Sequence, residues 1–163
     1  MMLKSAVRPI CDEDIAQVTQ LLRHAWGDVR VVTKGVVHRA DKLPGFGAWA
    51  GDQLVGLATY HISGDGCEIV TINSVVEEQG IGRALTQAVA GVARTAGCRR
   101  LWVVTTNDNL QGLGFYQRRG FRLVAVYPGA VAQARRLKPQ IPQIGLNEIP
   151  VRDEIELELI LNE

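Results

Sequence analysis

Thr71-Ile72-Asn73-Ser74-Val75-Val76-Glu77-Glu78-Gln79-Gly80-Ile81-Gly82-Arg83-Ala84-Leu85 reads as a strand that enters a glycine-bearing turn and then opens a long helix. The apolar residues that follow, Ile81, Leu85, Ala88, Val89, Val92, Ala93 and Ala96, keep a 3.6-residue period until Gly97 stops it. Gly80 and Gly82 carry no side chain, so successive backbone N–H groups can approach a ligand closely. The first helical turn adds unpaired N–H groups and the positive end of the helix dipole. That chemistry suits a pyrophosphate; the alternative is a glycine-lined helix start with no ligand. A dinucleotide fingerprint would need a third glycine where Leu85 stands, and the P-loop string G-x-x-x-x-G-K-[ST] does not occur.

Working outward, residues 4–9 read as a short strand ending at Pro9. Asp12 can cap a helix whose apolar stripe is Ile15, Val18, Leu21, Leu22 and Trp26. Residues 27–45 are mixed, with a second short helix expected around Val36–Lys42 before Pro44-Gly45. Phe46–Ala50, Gln53–Ile62 and Cys67–Val75 form an antiparallel meander, because only short Gly/Asp connections separate them. After the helix from Gly80, Arg100–Thr106 is a buried-type strand. Asn107-Asp108-Asn109 breaks it, a short helix runs to Arg119, and Phe121–Tyr127 is another strand. Residues 128–150 carry four of the six prolines and form a long connection with a helix at Val131–Leu137. Such a length marks either a substrate loop or an ordinary wandering one. Glu154–Leu161 alternates acidic and apolar residues as a last strand, suited to closing its own sheet or to pairing with a neighbour's in a homodimer. A strand–helix–strand crossover after a meander implies a mixed, mostly antiparallel sheet of about seven strands with helices on both faces, α/β (α+β) in class.

Composition excludes several classes. The 163 residues fit a single domain over 1–163, 47% are hydrophobic and 21% charged, and the net charge is +1. That balance offers no electrostatic footprint for a nucleic acid, and no basic stripe with interleaved aromatics is present. No apolar run approaches the ~20 residues of a membrane helix, and the N-terminal stretch lacks a signal-peptide core. Cys11, Cys67 and Cys98 are odd in number and widely separated, so reduced thiols in a cytoplasm are expected rather than disulfides or a zinc site. His24, His38 and His61 are isolated and read as surface or core residues. Arg135, Arg136 and Lys138 could meet an acidic acceptor or form a solvated charge run.

The turn and helix start are similar to the [QR]-x-x-G-x-[GA] pattern of the GNAT superfamily of N-acetyltransferases. Downstream that family shows N-x-x-A-x-x-F-Y-x-x-x-G-F, and here Asn109-Leu110-Gln111-Gly112-Leu113-Gly114-Phe115-Tyr116-Gln117-Arg118-Arg119-Gly120-Phe121 keeps the Asn, the Phe-Tyr pair and the Gly-Phe in place. The element order matches across nearly the whole chain. Aligning Gly80-Ile81-Gly82 with the family's G-x-G puts Glu77 where Arg or Gln usually stands. Gln79-Gly80-Ile81-Gly82-Arg83-Ala84 matches the pattern literally two residues later; the first frame is preferred because it sets GIGRAL at the helix start. Glu77 and Glu78 would repel a pyrophosphate and should point away, leaving the binding to the main chain. Gly112 replaces the usual Ala, which close passage of a pantetheine arm would explain; Gly114 has no such account.

The resemblance implies a GNAT-like acyl-CoA N-acyltransferase fold that moves an acetyl group from acetyl-CoA to a primary amine of a small molecule or peptide, with no metal, nucleic acid or membrane involved. A catalytically inactive acyl-CoA sensor is the alternative. It implies cofactor contacts at Ile72, Ser74, Gln79, Gly80, Ile81, Gly82, Arg83, Ala84, Asn109, Gly112 and Tyr116. Tyr116 would protonate the departing thiolate, and its phenol, with an ordinary pKa near ~10, suits that task. Glu68, on a strand among apolar residues where desolvation raises a carboxyl, would be the base, directly or through water. Asn73 could instead position a water.

Overall fold

Residues 5–75 and 80–161 are described in the computed structural model of the chain. In chain order the strands are β1 (Ala6–Pro9), β2 (Arg30–Thr33), β3 (Val36–Arg39), β4 (Gly45–Ala50), β5 (Gln53–Ser63), β6 (Gly66–Ser74), β7 (Arg100–Thr106), β8 (Arg122–Tyr127) and β9 (Glu154–Ile160). The helices are α1 (Ile15–Trp26), α2 (Ile81–Thr95), α3 (Leu110–Arg118) and α4 (Ala130–Leu137). Seven strands make the central sheet in the order β1-β4-β5-β6-β7-β9-β8, and β2 pairs with β3 in a separate hairpin. Every pairing in the central sheet is antiparallel except β6 with β7, which the α2 crossover joins in parallel. This is the mixed, mostly antiparallel seven-stranded sheet expected from the sequence.

The period-2 alternation of the strands explains why helices cover both faces. Ala48 and Val55 point into a core with Leu85, Val89 and Ala93 of α2, together with Tyr116 and Phe121. Their strand neighbours Trp49 and Leu54 point the other way, onto Val18 and Leu22 of α1. The last strand lies inside its own sheet between β7 and β8, so β9 has no free edge for a neighbouring molecule's strand.

Residues 30–39 depart from expectation. The helix predicted around Val36–Lys42 is a strand over Val36–Arg39 followed by one 3-10 turn at Ala40–Lys42. The β-branched residues Val31, Val32, Thr33, Val36 and Val37 favour a pleated conformation. Lys34 and Gly35 link them in a two-residue turn with φ of 49° and 76°, the left-handed pair that matches the twist of a tight hairpin. Val31, Thr33 and His38 face inward and are buried.

One irregularity shapes the site. Between β5 and β6 the register runs Thr59↔Thr71 and then Tyr60↔Ile69, leaving Val70 as an extra residue in β6. Pairing of β6 with β7 stops at Ile69↔Val103. The last residues of β6, Val70–Ser74, therefore part from β7, which continues against β9 to Thr106↔Glu154. No described helix is long and apolar enough to cross a membrane.

Candidate active site

The start of α2 stands at one end of the opening between β6 and β7. Gly80 is its N-cap in the left-handed region, with φ of 73°, and Ala84 N donates to Gly80 O at 3.0 Å as the first helical bond. The N–H groups of Ile81, Gly82 and Arg83 precede that bond and have no partner within the helix. Ile81 and Leu85 bury the inner side of this turn, at 2% and 0% exposure, while Arg83 faces solvent. Two glycines let it sit so close. A Cβ on Gly56 of β5 would fall 2.5 Å from Ile81 Cγ2, and one on Gly82 would fall 3.0 Å from the Phe115 ring. Gly82 thus has a packing reason as well as the backbone access argued from sequence. Gln79, Glu77 and Glu78 lie outside the described residues.

Asn109 caps α3 and is tied to β7, one of the two strands that border the opening. Its Oδ1 accepts from Gly112 N at 3.0 Å, and its Nδ2 donates to Thr105 Oγ1 of β7 at 2.9 Å. Both ends of the amide are engaged within the protein, so this side chain frames the opening. The same cap gives Gly112 a packing reason within the protein, since a Cβ there would lie 2.2 Å from Asn109 Nδ2. At Gly114 a Cβ would approach Arg118 Nη1 at 2.9 Å, the far end of a side chain that can move aside. Asn109→Ala is expected to cost about 1 kcal/mol of stability, a lost cap, read from the urea midpoint at constant slope.

Tyr116 is 6% exposed, with its ring 5.4 Å from that of Phe115 and 5.5 Å from that of Phe121. Burial pushes its phenol above the ordinary value, so it keeps its proton throughout the neutral range. The aromatic packing role and the role of proton donor are compatible at this position.

Glu68 points to the other face of β6, beneath the β2–β3 hairpin, and is 3% exposed. It stands beside Trp102 in the register, one step before β6 and β7 part. Thr33 Oγ1 donates to Glu68 Oε2 at 2.7 Å, and His38 Nε2 lies 3.5 Å from Oε1. Burial pushes the carboxyl up to about 7, against the pull of the Thr33 hydroxyl and the Lys34 charge. Farther along β6, Ile72 and Ser74 are half-buried, and Asn73 Oδ1 accepts from Trp26 Nε1 at 2.6 Å. That bond uses one of the two lone pairs of the Asn73 carbonyl.

Sequence reasoning missed the cover over Glu68. Lys34, at the hairpin tip, pairs with Glu156 of β9 at 2.9 Å and lies 5.0 Å from the centre of the Trp102 ring. Tyr127 and Arg100 also donate to Glu156. The tip is thereby tied to β7, β8 and β9. The available signal was Lys34-Gly35 between two β-branched runs, a two-residue hairpin connection.

The long connection is also anchored. Asp108, 5% exposed, accepts from Thr106 Oγ1 and from Leu146 N, and a Cβ on Gly145 would collide with its Oδ2. Asn107 Oδ1 accepts from the backbone of Arg152 and Asp153. Arg135 donates to the carbonyls of Ile141, Pro142 and Val151, and Lys138 Nζ to Trp26 O at 2.9 Å. Of the three basic residues considered for an acidic acceptor, two are turned inward and Arg136 alone is exposed. Among the described residues no group of three His, Cys, Asp or Glu side chains could hold a metal ion.

Residues 13–121 match the family described as "Acetyltransferase (GNAT) family". Two curated relatives come from Bacillus subtilis (strain 168). "Uncharacterized protein YdhI" is 42% identical over 139 residues, covering 85% of this chain and 87% of the relative. "Uncharacterized protein YxbD" is 39% identical over 150 residues, covering 91% and 94%. Among solved structures, the IAA acetyltransferase from Bacillus cereus ATCC 14579 superposes with a TM-score of 0.73 at 22% identity, over 97% of this chain and 100% of that one. A Bacillus subtilis acetyltransferase in complex with CoA superposes with a TM-score of 0.69 at 20% identity, over 98% and 100%. At those identities the structures speak to the fold.

Proposed function

The chain belongs to the GNAT family of acetyltransferases, and from that membership we propose that it moves the acetyl group of acetyl-CoA to a primary amine of a small molecule or peptide by direct attack. One observation carries this reading. The opening between β6 and β7 has α2 amides without a partner inside the helix at its mouth, and the Glu68 carboxyl near the point where it closes. When bound, acetyl-CoA supplies an activated thioester. The amides of Gly80, Ile81, Gly82 and Arg83 would hold its pyrophosphate, that of Ala84 being taken by Gly80 O, and the backbone of Ile72 and Ser74 would bond along the arm. Beyond the Val70 bulge, β6 no longer pairs with β7.

The acceptor amine must be neutral to attack. Glu68, directly or through one water, takes the ammonium proton; a carboxyl brought to about 7 does so near neutral pH. Tyr116 gives its proton to the departing thiolate, and the second amine proton, released as the amide forms, restores the phenol. Tyr116→Phe is expected to lower kcat about 10²-fold while leaving acetyl-CoA affinity within about twofold, because the ring and its packing remain. Thiol release against a panel of primary amines tests the proposal, with turnover expected for at least one class of amine. Tight acetyl-CoA binding with no turnover on any of them would replace the enzyme by a binding module.

A further inference from the structure

A base that works in every turnover has to return its proton to solvent, and Glu68, at 3% exposure, has almost no surface through which to do so. The hairpin that seals it contains His38, whose Nε2 lies 3.5 Å from Glu68 Oε1 and 3.2 Å from Thr33 Oγ1. Among the described residues this is the one basic side chain within 4 Å of the Glu68 oxygens. The His38 ring centre lies 5.8 Å from that of His61, an exposed residue of β5 and the register partner of Glu68. We infer that His38 and His61 form the exit path for the proton that Glu68 takes up, an inference that rests on Glu68 being the base.

The step moves one proton and breaks no bond to carbon. Protonated Glu68 passes its Oε2 proton to Thr33 Oγ1 as Thr33 passes its own hydroxyl proton to Nε2 of a neutral His38 that carries its proton on Nδ1, along contacts of 2.7 and 3.2 Å. The imidazolium then loses the Nδ1 proton toward His61 and solvent, and the carboxylate is restored. Burial and the nearby His61 push the His38 imidazole below its ordinary value, so it is neutral near pH 7 and passes on to solvent any proton it receives. The other charges facing Glu68 are accounted for. Lys34 from the hairpin lowers its pKa, while Glu154 and Glu156 from β9 raise it; Arg100 from β7 pairs with Glu156. Thr33 Oγ1 bridges the carboxyl and the ring, and after the transfer it donates to Glu68 Oε2 and accepts from His38 Nε2.

The test uses the full chain with the amine that turns over best in the panel. His38→Gln keeps a hydrogen-bonding side chain but cannot relay a proton. It is expected to lower kcat about tenfold, less than loss of the base itself, with the KM for acetyl-CoA unchanged and partial recovery on adding free imidazole. Carboxyl carbon NMR should show the Glu68 titration midpoint displaced by roughly half a pH unit in the same variant, since coupled groups titrate together. If His38→Gln fails to fold, exposed His61→Gln decides: reduced kcat rescued by imidazole supports the path, and unchanged kcat overturns it. A folded His38→Gln with wild-type kcat, or a loss that imidazole does not relieve, also overturns it. Glu68→Gln separates the two ideas. Full activity there overturns base and relay together, whereas inactivity beside a wild-type His38→Gln overturns the relay alone.

Discussion

Glu68→Gln is expected to lower kcat by about 10²- to 10⁴-fold, the loss of a positioned base, with acetyl-CoA binding preserved. In the wild type, activity should rise with pH through about 7, because the carboxyl must be ionised to take a proton. The same variant should be more stable than the wild type at alkaline pH. The folded value of about 7 lies above the ordinary 4.5, so the native state holds this proton more tightly than the unfolded chain. The stability that follows is complete below pH 4.5 and lost as pH rises through 7, leaving a buried charge above it. The difference is up to about 3 kcal/mol across that window. Urea unfolding at pH 5 and at pH 8 reads it: the advantage of Glu68→Gln should be present at the higher pH and absent at the lower. A variant that keeps its activity and shows no such crossover removes Glu68 from both roles.

Gly56→Val is expected to destabilise the protein by about 3 kcal/mol and to weaken acetyl-CoA binding about tenfold. The new Cβ would meet Ile81 Cγ2 at 2.5 Å and Leu85 Cδ1 at 3.2 Å, and both residues are fixed in the first turn of α2. Relief requires that turn to lift from β5, which displaces the amides proposed to face the pyrophosphate. Urea unfolding and calorimetric titration with acetyl-CoA measure the two effects. Truncating the obstructing atom should recover part of both: Ile81→Ala combined with Gly56→Val is expected to be better than additive, as contacting residues are. An additive pair, or a stable Gly56→Val that binds acetyl-CoA normally, would show that the helix start does not depend on this contact.

Local patterns carried much of the fold. The 3.6-residue stripes of α1 and α2, the short Gly/Asp connections of the meander and the crossover to Arg100–Thr106 are short-range features, and each formed the element expected of it. The helix misassigned at Val36–Lys42 is instructive because the determinant was also local. Lys34-Gly35 can adopt two successive left-handed conformations, and that outweighs the weak helical period of the residues after it. The helix start at Gly80, Ile81 and Gly82 was legible because the glycine turn and the apolar period after it are both local. The Asn109 side chain packed against Gly112 was not legible, because it follows from cap geometry and not from spacing along the chain.

The strand, glycine turn and helix at Thr71–Leu85, with Asn109, Tyr116 and Gly120-Phe121 downstream, were sufficient for the family and for the expected cofactor. They sufficed because a backbone anion site needs only one stretch of chain and its own hydrogen-bonding geometry. The surroundings of Glu68 could not be obtained that way. Thr33 and His38 reach it from 35 and 30 positions earlier in the numbering, His61 from the neighbouring strand, and Lys34 is held in place by Glu156 at the far end of the chain. Three histidines without a shared spacing gave no reason to connect any two of them. Desolvation, which moves the carboxyl toward neutrality, is a property of everything packed against it, and only the folded chain brings those groups together.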